Sequence, residues 1–125
     1  MTSNGKGNLL ERTHEFSLRI IKLADAIPAT RTGDIIVRQL LRSGTSVGAN
    51  YRAACRAKSI SDFICKMKIV EEEADESLYW MQLLTESAII EKLRLSSLMQ
   101  EASEIVAMTT ASIKTARKKK WSANK

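Results

Sequence analysis

Three sets of residues in this 125-residue chain have types and spacings that could support chemistry. The first is the acidic run Glu71-Glu72-Glu73-Ala74-Asp75-Glu76. Helical bundles build two-metal carboxylate centres, but those need a Glu-x-x-His pair on each of two helices. Glu11 and His14 form one such pair, and His14 is the only histidine, so there is no second. The pair falls near a helix start, where a solvated histidine is the ordinary reading. A lone histidine also leaves no Ser-His-Asp or Cys-His arrangement to assemble. Neither G-x-x-x-x-G-K-[ST] nor G-x-G-x-x-G occurs. We therefore expect no catalytic residue, no metal, no cofactor and no small-molecule substrate.

The second set pairs cations with acids. Arg38 and Arg42, and Arg52 and Arg56, stand four apart on one predicted helix. Glu73 and Glu76 flank the apolar stripe of the next. Arginine's planar fork can hold a carboxylate at two points. The arginines are thus expected to clamp the glutamates, within a chain or between subunits, as a polar network that fixes register. The third set is the basic run Lys114, Arg117, Lys118, Lys119, Lys120 with Trp121. Cations suit the negative end of a helix. A run this dense beside an indole also suits phosphate contacts with a base stacked on the ring.

Helices must position these groups. Asn8 is placed to cap a first helix, on which Leu9, Phe16, Ile20, Leu23 and Ile27 repeat at helical spacing. Pro28 ends it. Thr32 is expected to cap a second helix running to about Ala57, with Asp34 in its first turn. Its seam reads Ile36, Leu40, Ser43, Val47, Asn50, Ala54, spaced 4, 3, 4, 3, 4, and passes through Gly44 and Gly48. Each glycine costs a helix about 1 kcal/mol relative to alanine. An unbroken helix there implies a neighbour's close approach; the alternative is a loop that stops at Gly44. Tyr51 keeps the same face.

Ser59 or Ser61 is expected to cap a third helix with the stripe Phe63, Met67, Val70, Ala74, Ser77, Met81, Leu84. Leu78, Trp80 and Leu83 widen its apolar surface, either for the chain's own core or for a second subunit. After a less regular link, Thr85 to Leu93, a fourth helix spans about Leu95 to Ala116, with Leu98, Ala102, Ile105, Thr109 and Ala116 on one face. Residues 1–8 are expected to be a disordered start, 9–117 a bundle, and 118–125 a basic tail. Short turns favour an antiparallel, left-handed, up-and-down four-helix bundle, an all-α class.

Composition agrees with one helical domain. No apolar run approaches the roughly 18 residues of a membrane span, and residues 1–7 lack an apolar signal core, so a cytoplasmic protein is expected. Cys55 and Cys65 read as buried small hydrophobes. The net charge of +6 is unevenly spread. Residues 61–108 hold four Lys or Arg against ten acids, whereas residues 109–125 hold six against none.

The run SGTSVGANYRAACRAKSISDF followed by EEEADESLYW resembles the "four helix bundle protein" family, also called the 23S rRNA intervening-sequence protein family. Its EA-x-E-x-x-YW pattern is matched by Glu73, Ala74, Glu76, Tyr79 and Trp80. One departure is Ala53, where members often carry an acid after Asn-Tyr-Arg; this leaves Arg52 or Arg56 one partner fewer. The resemblance implies a continuous helix through the glycines and a homopentameric ring. The family has no generally agreed activity. Its name comes from genes inside inserts of ribosomal RNA genes, and a related group serves diversity-generating retroelements beside a reverse transcriptase. The expectation is a non-enzymatic, oligomeric RNA-binding protein; the alternative is a structural scaffold, such as an accessory protein of a reverse transcriptase.

Overall fold

The computed structural model describes residues 8–123, which form four helices and no strand. They are α1 (Leu9–Ala26), α2 (Arg31–Cys55), α3 (Ile60–Glu86) and α4 (Lys92–Ala123). The residues expected to form a disordered start lie outside this range, except Asn8. The Asn8 side chain accepts from the Glu11 N–H while Glu11 reaches back to the Asn8 N–H, a reciprocal cap that satisfies two end donors. Thr30, not Thr32, caps α2: its hydroxyl oxygen accepts from the Gly33 N–H at 3.0 Å. The helix begins as soon as the backbone clears Pro28, two residues earlier than the spacing of acids suggests. Ser59 caps α3 by accepting from the Asp62 N–H.

α2 is continuous through Gly44 and Gly48, and the close neighbour is α1. A Cβ on Gly44 would stand 2.7 Å from two carbons of Ile20. One on Gly48 would stand 3.1 Å from the Thr13 carbonyl oxygen and 2.7 Å from the Ser17 hydroxyl. That hydroxyl donates to the Gly44 carbonyl at 2.9 Å, so the missing side chains are replaced by an interhelical hydrogen bond. The helical cost of the glycines is thus offset by apposition that no other residue permits.

The core joins Phe16 and Ile20 of α1 to Leu40 and Val47 of α2, Val70, Ala74, Met81 and Leu84 of α3, and Leu95 and Ile105 of α4. Leu78, Trp80 and Leu83 are half-buried and pack against it. Ser43 and Ser77, both fully buried, pair across α2 and α3 at 2.9 Å, and Ser77 also reaches the Glu73 carbonyl. This pair is the buried polar contact of the seam. Asn50 is only half-buried, and its amide bonds back to the carbonyl and hydroxyl of Ser46, within α2.

Neighbouring helices in the chain pack extensively; α1 and α4 touch at only a few places. The α3–α4 link closes locally, with Ala88 in the left-handed region at φ 63° and the N–H groups of Ile89 and Ile90 both donating to the Leu84 carbonyl. α4 does not stop near Ala116. It continues through the basic run to Ala123, so residues 118–123 are helical, unlike a separate tail. Lysine and arginine are good helix formers, and nothing before Ala123 breaks the ladder. Cys55 and Cys65 are exposed, contrary to the expectation of burial, because each falls outside the apolar stripe of its helix. No helix among the described residues is long and apolar enough to cross a membrane.

Candidate nucleic-acid interface and polar network

Both clusters of functional interest are set by which face each helix turns outward. On α2 the core residues Ile36, Leu40, Ser43, Val47 and Ala54 occupy one side, so Arg31, Arg38, Arg42, Arg52 and Arg56 fall on the exposed side. Of the four arginines expected to clamp α3, one does so. Arg42 lays Nη1 at 3.1 and 3.2 Å from the two carboxylate oxygens of Glu73, and Nη2 on Glu76. Arg38, Arg52 and Arg56 are exposed and form no ion pair among the described residues.

Glu76 also accepts from the Trp80 indole N–H at 2.9 Å. Trp80 is the largest cause that holds the Glu76 carboxyl below its ordinary pKa; Arg42 adds to it and burial opposes it. Glu76, then Glu73, hold the Arg42 guanidinium above its usual value. Tyr79 meets the Trp80 ring edge-on, with centroids 5.1 Å apart. Tyr51 is half-buried against the small cluster of Ala54, Met67 and Ile113; burial, then its contact with Cys55, pushes its phenol up.

A second clamp was not foreseen. Arg12 of α1 is buried, and its fork holds Glu101 of α4 through Nε at 2.9 Å and Nη2 at 2.7 Å. Nη2 also donates to Glu104 at 2.7 Å, and Nη1 lies 3.1 Å from the Met108 sulfur. Glu101, with Glu104, raises the Arg12 pKa above the ordinary arginine value, against the opposing effect of burial. Thr110 similarly donates from α4 to Glu71 of α3.

The cations at the end of α4 lie beside those of the α2–α3 corner. A cleft of about 490 Å³ lies between the α2–α3 corner and the last turns of α4, lined by Cys55, Lys58, Ser59, Ser112, Thr115 and Lys119 among others. A hollow of about 250 Å³ is lined by Ile64, Arg117, Lys120 and Trp121. A third groove joins Leu10, Glu11 and His14 to Gly48, Arg52, Cys55 and Arg56. The expected residues Lys114, Arg117, Lys118, Lys119, Lys120 and Trp121 are all exposed on α4, which carries no acid after Glu104. Lys58, Arg52 and Arg56 join them at the same end, which periodicity alone could not show. His14 is exposed, and no group of three His, Cys, Asp or Glu among the described residues is placed to hold a metal ion.

The profile of the family described as "23S rRNA-intervening sequence protein" matches residues 6–111. The span stops short of Lys114, so the basic end of α4 lies outside it. A solved structure from Bacteroides thetaiotaomicron, a protein of unknown function from the S23 ribosomal protein family, is 34% identical with a TM-score of 0.81. The alignment covers 86% of this chain and 99% of that one. No curated protein matches the chain.

Proposed function

The chain belongs to the 23S rRNA-intervening sequence protein family, and we propose that it is a non-enzymatic RNA-binding bundle protein that works as a homo-oligomer in the cytoplasm. The observation that carries this reading is the dense set of exposed cations where the end of α4 stands beside the α2–α3 corner, with Lys58, Arg52 and Arg56 close by. Phosphate contacts made there release counterions, so affinity should fall steeply with salt. The subunit is read as antiparallel and up-and-down. Thr13 lies by Gly48 while Ile20 lies by Gly44, and Arg12 reaches Glu104 while Arg19 reaches Ser97. Fivefold assembly into a ring would repeat each basic end five times and add weak contacts through effective concentration.

The test is a fluorescence-anisotropy titration of the full chain with labelled RNA at several salt concentrations. Binding that weakens with salt, and again when Arg117, Lys118, Lys119 and Lys120 become glutamine, supports the reading. No binding to any RNA at low salt overturns it. A second reading, a protein scaffold such as a reverse-transcriptase accessory, is favoured by Leu10, Leu18 and Ile21, large apolar side chains exposed on one face of α1. A solution mass equal to the monomer would remove the oligomer from both.

A further inference from the structure

The hollow between the first turns of α3 and the last of α4 has a composition that neither a core nor a solvated charge run needs. Ile64 and the Trp121 ring give it apolar walls. Arg117 and Lys120 complete the lining, with methylene stems that continue the apolar surface and charged heads that reach water. Trp121 is 64% exposed, a large ring displayed at the most basic place in the chain. Lys119, which with Lys118 lies between Arg117 and Lys120 in the chain, lines the adjoining cleft together with Lys58. The carboxylate of Asp62, nearby in the first turn of α3, is occupied by the Lys58 backbone N–H.

We propose that this hollow is a base slot: one unpaired nucleobase stacks on Trp121 against Ile64, and its flanking phosphates rest on Arg117 and Lys120 on one side and Lys119 and Lys58 on the other. The inference rests on the RNA-binding reading and adds a selectivity to it. A base inside a duplex is already stacked between its neighbours and cannot enter a side pocket, so the slot admits only single strands. Every base has a π-face, so selection is for strandedness and not for sequence. Charge fits this occupant better than an apolar peptide, because Arg117 and Lys120 line the hollow and Lys119 and Lys58 line the cleft beside it.

The experiment compares the full chain on a labelled single-stranded RNA and on the same sequence annealed to its complement. The wild type should prefer the single strand. Trp121→Ala should weaken the single strand about tenfold, in the range expected for losing one base–aromatic stack, and leave the duplex unchanged. Trp121→Phe should keep most of the preference. Tryptophan emission should be quenched by the single strand in the wild type and not in Trp121→Phe, because Trp80 is held in the polar network on α3. Equal binding of both forms, insensitive to Trp121→Ala, overturns the slot and leaves the RNA-binding reading standing. No binding of either form at low salt overturns both.

Discussion

Two arginines in this molecule each grip two glutamates of another helix, and they differ chiefly in burial. Arg12 is 8% exposed and joins α1 to Glu101 and Glu104 of α4; Arg42 is 48% exposed and joins α2 to Glu73 and Glu76 of α3. The interfaces differ as well. α2 and α3 already share a long packed seam with the Ser43–Ser77 contact inside it, so Arg42 is superimposed on an interface that stands without it. α1 and α4 meet sparsely, and there Arg12 is a strut between helices that share few other contacts. Desolvated charges must be matched, whereas exposed ones are screened, so the same chemistry has unequal consequences.

Breaking the two clamps separately tests this contrast. Arg12→Met should cost about 3 kcal/mol in urea unfolding, because it takes the shared guanidinium away from two half-buried carboxylates. Adding Glu101→Leu and Glu104→Leu should return much of that loss, since an apolar replacement of a whole buried cluster is often neutral. A loss for Arg12→Met no larger than that for Arg42→Met would remove the distinction. On the other flank of α1, Gly44→Ala forces a methyl against the branched Ile20. Overpacking outweighs the gain in helix propensity, for a net loss of about 1 kcal/mol. A double-mutant cycle with Arg12→Met should show coupling, because both changes let α1 shift.

The outer clamp is expected to show itself in pH more than in stability. The Glu76 pKa is held below the ordinary 4.5, so the folded state gains from its ionisation. That gain is full above about 4.5 and is lost as the pH falls through the lowered folded value. Trp80→Phe removes its largest cause, and NMR titration of Glu76 should then move up towards 4.5. The smallest effect belongs to Arg42→Met, which should leave the unfolding midpoint nearly unchanged at neutral pH.

The outer clamp and the glycine-bearing helix were legible from spacing, since Glu73 and Glu76 flank a clear stripe and the helical period persists through Gly44 and Gly48. The inner clamp carried a signal that a stripe of apolar residues hides. Arg12 sits three after Leu9 and four before Phe16, a core position filled by a charge, and Glu101 and Glu104 flank Ala102 and Ile105. A cation at a core position with acids beside another helix's stripe is a pairing to look for, but only tertiary structure says which helices meet. Asn50 falls in the same seam by spacing yet is only half-buried, because a polar residue there can be satisfied by its own helix. The last turns of α4 were read as a tail because the apolar period ends, although charge does not end a helix.

That continuation of α4 has a geometrical consequence. Residues on a helix are set about 100° apart around its axis, so Arg117, Lys118, Lys119 and Lys120 fan around the full circumference of the rod. A single polyanion lying along one side can neutralise only about two or three of them at once. The slope of log affinity against log salt, per subunit, should therefore report fewer phosphates than the residues would if they hung as a loose string, and the unused charges face outward to a second strand.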